Sequence, residues 1–302
     1  MTLKLTGLVP ATHTPFTDSG EVNLAVIETQ AEHLLRDGIR AVFIAGTTGE
    51  SHSLTLAERL AITERWLAVT RGTPMQVIVH VGGNSLGDAK TLAAHAQTTG
   101  AAAIAALAPS YFKPKSVADL LLWTTPIAAA APAIPFYFYD IPPLTGVNLP
   151  MPDYLEQAAE RIPNLAGVKF SNPDLLAYQR CLHLSGGRLD MPWGIDEYLL
   201  SALAVGGSGG VGSSYNFAAP LFHRLLAAFG QGDWATARAE QWKAAQWIET
   251  LIRFGYMPSA RRIMERLGVP VGAPRLPFQS LSADQAKGLD AALEQLGVWS
   301  WR

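Results

Sequence analysis

A single cysteine, Cys181, stands among 302 residues, so no internal disulfide can form and the chain suits a reducing compartment. Lying in a stretch of helical period, Cys181 reads as core rather than as a nucleophile. An excess of one charge is also missing. The 23 basic residues face 25 acidic ones for a net charge of −2, which gives a nucleic-acid role no electrostatic support. Long hydrophobic runs are absent too. The alanine-rich stretches at 101–108 and 127–134 are too short to span a bilayer. The opening Met1-Thr2-Leu3-Lys4-Leu5-Thr6-Gly7 lacks the apolar stretch of a secretion signal. No solenoid repeat is visible. These absences lead us to expect a soluble, cytoplasmic protein that engages neither membrane nor nucleic acid.

What is present is an alternation. Short apolar runs at 7–12, 41–45, 76–81, 103–108, 135–139, 166–169, 191–194 and 209–212 read as strands. Segments of helical period with usable caps lie between them. Thr55-Leu56-Ala57-Glu58 is a capping box, and Ser116-Val117-Ala118-Asp119 resembles one. A helix over 85–99 places Leu86, Ala89, Leu92, Ala93 and Ala96 on one face, as packing against a sheet requires. Eight such alternations indicate an α/β fold of the (β/α)8 TIM-barrel type. A doubly wound sheet is the runner-up, but no Gly-x-Gly-x-x-Gly follows the first strand. Helical segments near 233–254, 257–267 and 282–296, the last opened by the Ser282 capping box, read as a C-terminal helical appendage. The expected division is a barrel over 1–225 and an extension over 226–302 packed on it.

Active sites of such barrels lie at the C-terminal ends of the strands. Lys169 ends the sixth predicted strand, within an apolar run where lysine is rare unless it has a partner or a task. Taken alone it reads as a snorkelling strand-end lysine, and its neighbours on the rim favour the buried amine. Burial lowers the pKa of such an amine and leaves it nucleophilic toward ketones. Tyr139 ends the fifth strand and is suited to carry protons, whereas Phe136, Tyr137 and Phe138 read as core. Gly46-Thr47-Thr48-Gly49-Glu50 follows the second strand, as either a carboxylate-sized anion site or an ordinary turn capping the next helix. Asp196 and Glu197, after Gly194 and the seventh strand, bind a polyol or merely complement a helix dipole. A metal needs a third ligand that the neighbourhood does not offer, so none is expected. The glycines of 206–212, followed by Ser213 and Ser214, form a second candidate anion site. Between Arg188 and Arg224, however, no cation is present to pair with a phosphate. His13, His52 and His80 read as core or rim packing.

Together these motifs resemble the pyruvate-dependent class I aldolases of the dihydrodipicolinate synthase and N-acetylneuraminate lyase superfamily, over nearly the whole chain. The resemblance implies that Lys169 forms a Schiff base with the substrate, that Tyr139 shuttles protons with Thr48 and Tyr111 as catalytic partners that position it, and that Thr47 and Thr48 hold the pyruvate carboxylate. No cofactor beyond that covalent adduct is implied. Tyr111, in Pro109-Ser110-Tyr111, matches a tyrosine that reaches a neighbouring subunit's site, which implies a homotetramer. Leu144 stands where dihydrodipicolinate synthases usually place an arginine. Gly194-x-Asp196-Glu197, Gly212-Ser213-x-Tyr215-Asn216, Gly167-Val168-Lys169-Phe170-Ser171 and Gly272-Ala273-Pro274-Arg275-Leu276-Pro277 resemble the sialic-acid branch instead. Asp140 and Ile195 depart from its commoner pattern. The implied activity is aldol cleavage of N-acetylneuraminate, with Ser171, Gly194, Asp196, Glu197 and Ser213 contacting substrate. A related aldolase or dehydratase for another 2-oxo-3-deoxy sugar acid is the alternative, and a non-catalytic sugar-acid- or phosphate-binding barrel is a third, different class.

Overall fold

The structure, a computed structural model, describes residues 4–184 and 186–302. Residues 1–3, on which part of the amino-terminal reading falls, lie outside the described residues. Strands β1 (Gly7–Pro10), β2 (Ala41–Ile44), β3 (Gln76–His80), β4 (Ala103–Leu107), β5 (Phe136–Asp140), β6 (Leu165–Phe170) and β7 (Gly209–Gly212) all pair in parallel. β2 to β6 form one ladder and β1 pairs with β7. An Ala11–Phe43 bridge joins β1 to β2.

The stretch at 191–194 is not a regular strand as expected. Isolated bridges link Gly167 to Asp190, Phe170 to Trp193 and Trp193 to Gly210, closing the circuit between β6 and β7. Pro192 has no N–H to donate and serves only through its carbonyl, which accepts from the Phe170 N–H. The result is a (β/α)8 barrel.

Two apolar layers follow from the side-chain alternation of strands. Val9, Phe43, Ile78, Ala105, Tyr137, Tyr139 and Val211 fill the barrel interior. Phe136, Phe138, Val168 and Phe170 face outward into the helix layer. Strand β6 breaks simple alternation. Phe136 pairs with Leu165 but Tyr137 pairs with Gly167, so β6 carries one extra residue, a bulge. Ala166 points inward, and three positions later so does Lys169, whose amine meets interior rings. Only glycine fits at 167, where a Cβ would lie 1.7 Å from the Asp190 carbonyl oxygen.

The capping boxes at Thr55, Ser116 and Ser282 are all formed, and the helix after Ser85 buries Ala89, Leu92, Ala93 and Ala96. The C-terminal helices are α1 (Tyr215–Gly230), α2 (Trp234–Phe254), α3 (Tyr256–Arg266) and α4 (Ala283–Leu296), of which α2 and α3 reach the site. α1 continues without a break through the expected 225/226 boundary. Among the described residues no helix is long and apolar enough to cross a membrane.

Candidate active site

Lys169 and Tyr139 are register partners, each one residue before the end of its strand. Lys169 is 3 % exposed. Its Nζ lies 3.9 Å from the Phe43 ring centroid and 4.0 Å from that of Tyr139. Burial pushes the amine down to about 7, against a smaller opposing pull from the Asp196 carboxylate. Burial pushes the Tyr139 phenol up to about 12, although the Thr47 and Ser171 hydroxyls oppose it. Tyr139 Oη and Thr47 Oγ1 are 3.2 Å apart, so the anion turn and the phenol share a hydrogen bond. His80 lies against Tyr139 edge-on at 5.8 Å, with one ring nitrogen hydrogen-bonded to the Ala45 carbonyl. Burial holds His80 well below the usual histidine range, so it packs as a neutral ring, as expected.

The C-terminal ends of the strands open into a cavity of about 380 Å³. Thr47, Thr48, Tyr139, Lys169, Ser171, Gly194, Asp196, Glu197 and Ser213 line it together. Two glycines make room for its polar wall. A Cβ on Gly194 would sit 1.9 Å from Ser171 Oγ, and one on Gly212 would sit 1.6 Å from Asp196 Oδ1. Asp196 Oδ2 accepts from the Ser214 N–H at 2.8 Å, while Oδ1 has no hydrogen-bond partner among the described residues. Burial raises both Asp196 and Glu197 above the usual carboxylate range. Glu197, less buried, borders the same space.

Tyr111 is not in this cavity. It is 78 % exposed and stacks edge-on with Phe112 at 4.9 Å, beside a separate surface hollow. The structure thus does not bring it to the Tyr139 of its own chain. Sequence reasoning missed Tyr256, Ile248 and Ile252, which come from α2 and α3 and complete the cavity wall. Tyr256 Oη lies 2.6 Å from Ser213 Oγ and 3.1 Å from Ser214 Oγ. Gly255, at φ 93°, turns the chain so that Tyr256 opens α3 beside the cavity. Nothing in the local sequence pattern marks that approach. Among the described residues no cluster of three or more histidine, cysteine or carboxylate side chains offers a metal site.

Comparison with known proteins adds a lineage to this geometry. The chain is 38 % identical to an N-acetylneuraminate lyase of Rattus norvegicus over 302 residues, covering 99 % of this chain and 94 % of the relative. The N-acetylneuraminate lyase (sialic acid aldolase) of Aliivibrio salmonicida superposes with a TM-score of 0.94 at 42 % identity, with 98 % of each chain covered. That of Proteus mirabilis also gives 0.94, at 38 % identity, covering 97 % of this chain and 99 % of the other. Residues 4–296 match the dihydrodipicolinate synthetase family, and the chain belongs to that family.

Proposed function

We propose that this chain catalyses the reversible aldol cleavage of N-acetylneuraminate to pyruvate and N-acetylmannosamine through a Schiff base on Lys169, with no metal or other cofactor. The observation that carries this reading is the buried Lys169 amine, lowered to about 7, in a cavity it shares with Tyr139, Thr47, Thr48 and a polar wall. Relatives named N-acetylneuraminate lyase support the substrate.

The neutral amine adds to the C2 ketone of the open-chain sugar acid, and uptake of one proton with loss of water leaves a protonated imine, the proton being released again when the imine is hydrolysed. Thr47 and Thr48 hold the carboxylate, which fixes C2 against Nζ. The C4 hydroxyl proton passes to the Tyr139 oxygen as the phenol's own proton moves through the Thr47 hydroxyl to the substrate carboxylate that Thr47 holds. The C3–C4 bond breaks, its electron pair moves into the imine, and N-acetylmannosamine leaves. The cationic imine lowers the cost of negative charge on the phenol at that moment. A proton returned to C3 and one water added at C2 release pyruvate and restore the amine. Ser171, Gly194 (through its backbone), Asp196, Glu197 and Ser213 contact the remaining hydroxyls. Groups buried in this way penalise substrates that cannot pair with them.

The exposed Tyr111 and Phe112 support assembly into a homotetramer in which Tyr111 serves a neighbouring copy. The buried free thiol of Cys181 supports a reducing, cytoplasmic setting.

Borohydride reduction in the presence of pyruvate is expected to leave a mass adduct on Lys169, and its absence overturns the aldolase reading. Pyruvate release is expected to favour N-acetylneuraminate over 2-oxo-3-deoxy sugar acids without the acetamido group. A tenfold preference the other way, about 1.4 kcal/mol, overturns the sialic-acid assignment.

A further inference from the structure

Two adjacent arginines on α3 hold different partners. Arg262 turns away from the barrel and makes a two-pronged pair with Asp290 on α4, at 2.9 and 2.5 Å. Arg261 turns inward and is buried. It donates to the carbonyls of Thr14, Val271 and Gly272 and to Glu50 Oε1 at 2.5 Å.

Glu50 closes the turn that carries Thr47 and Thr48. Its N–H donates to the Thr47 carbonyl, and the Ser51 N–H donates to that of Gly46. Glu50 sits at φ 55°, a left-handed conformation uncommon for a residue with a side chain. Its second oxygen accepts from the Arg275 N–H at 2.9 Å. The Thr14 hydroxyl, beside the carbonyl that Arg261 holds, donates to the Gly49 carbonyl. Both oxygens of a carboxylate inside the anion turn are thus held by residues of the C-terminal extension. Where it begins, the same helix presents Tyr256 to Ser213 and Ser214 in the cavity wall.

A buried ion pair contributes little net stability, because both ions give up water to form it. Its best use is to enforce one arrangement over its neighbours. We infer that Glu50 and Arg261 are positioning residues through which α3 sets the carboxylate-binding turn relative to Lys169. On this inference, which rests on the aldolase reading above, the extension is a working part of the site. A turn displaced by a fraction of an ångström presents Thr47 and Thr48 to the wrong place, and the 2-oxo acid loses its clamp before the amine loses its reactivity.

The test compares Glu50→Gln, which keeps the shape and removes the charge, with Asp290→Asn, which loosens the neighbouring Arg262 pair. Each variant is first shown by circular dichroism to be folded and its Tm recorded. The pyruvate concentration giving half-maximal borohydride trapping at Lys169 is then measured. It is expected to rise roughly tenfold or more in Glu50→Gln, and to change by less than about twofold in Asp290→Asn, even if both lower Tm. Arg261→Lys keeps the charge but not the fork of donors, and is expected to fall between them. It supplies the comparison if Glu50→Gln does not fold. An unchanged half-saturation in the folded variants overturns the inference, as does an equal rise in Asp290→Asn. No adduct in the unaltered protein overturns the aldolase reading itself, a result distinct from either.

Discussion

At pH 7 an ordinary lysine is neutral in roughly one molecule in three thousand, whereas an amine lowered to about 7 is neutral in half. For Lys169 the cause is burial, with two aromatic rings against the amine instead of water. The sign of the pH dependence follows. Below about pH 7 the amine is protonated and cannot attack, so adduct formation with pyruvate is expected to rise about tenfold per pH unit on the acid side. Above pH 7 it levels off. A rate that keeps climbing to pH 10 in single-turnover trapping would mean that Lys169 titrates like an ordinary lysine. Tyr139, pushed up to about 12, contributes no inflection in this range.

Individual elements contribute geometry that their own residues do not announce. The loops after the 190–193 stretch and after β7 meet because Gly212 has no side chain, which lets the Asp196 carboxylate lie against its Cα. Gly212→Ala is expected to displace Asp196 and destabilise the fold by about 1–3 kcal/mol, as overpacking does. It should raise KM for the sugar acid while leaving pyruvate trapping at Lys169 nearly intact. Equal losses in both assays would place Asp196 at the amine instead of at the polyol. Most of this arrangement was legible in the sequence: strand ends, the Thr47-Thr48 turn, the Asp196-Glu197 pair and Ser213 all lie on the expected rim. Periodicity and caps are local signals, and the strands and the four helices they delimit match the structure to within a residue or two, apart from the 191–194 stretch. The interrupted seventh strand and Tyr256 were not legible. The first depends on Pro192 and on hydrogen bonds to two neighbouring strands, the second on a contact between residues 43 positions apart. Tyr111 could be assigned a place only by resemblance, since its own chain holds it at the surface.

At the scale of the whole molecule, aromatic and ionic contacts tie residues 226–302 to the helix that leaves the last strand. Trp247 of α2 is buried against Phe217 of α1 and Trp301 near the C-terminus, at ring distances of 5.3 and 6.3 Å. Arg224 of α1 pairs with Glu240 of α2 and donates to the Trp301 carbonyl. Trp247→Ala is expected to cost about 3–5 kcal/mol, measured by denaturant titration. Loss of pyruvate trapping and loss of helical signal should coincide in one transition, as for a single cooperative unit. Two separated transitions would show that residues 226–302 unfold on their own and only rest on the barrel.

The extra residue in β6 has a consequence for how this chain tolerates change. The direction of the Lys169 side chain depends on how many residues separate it from Ala166, an odd number of steps where a regular strand permits only an even one. The irregular pairing around Gly167 therefore decides where the amine points. Were the strand to run from Ala166 to Lys169 without the bulge, the amine would turn into the helix layer and Val168 would face the substrate, with every chemical group of the site still encoded.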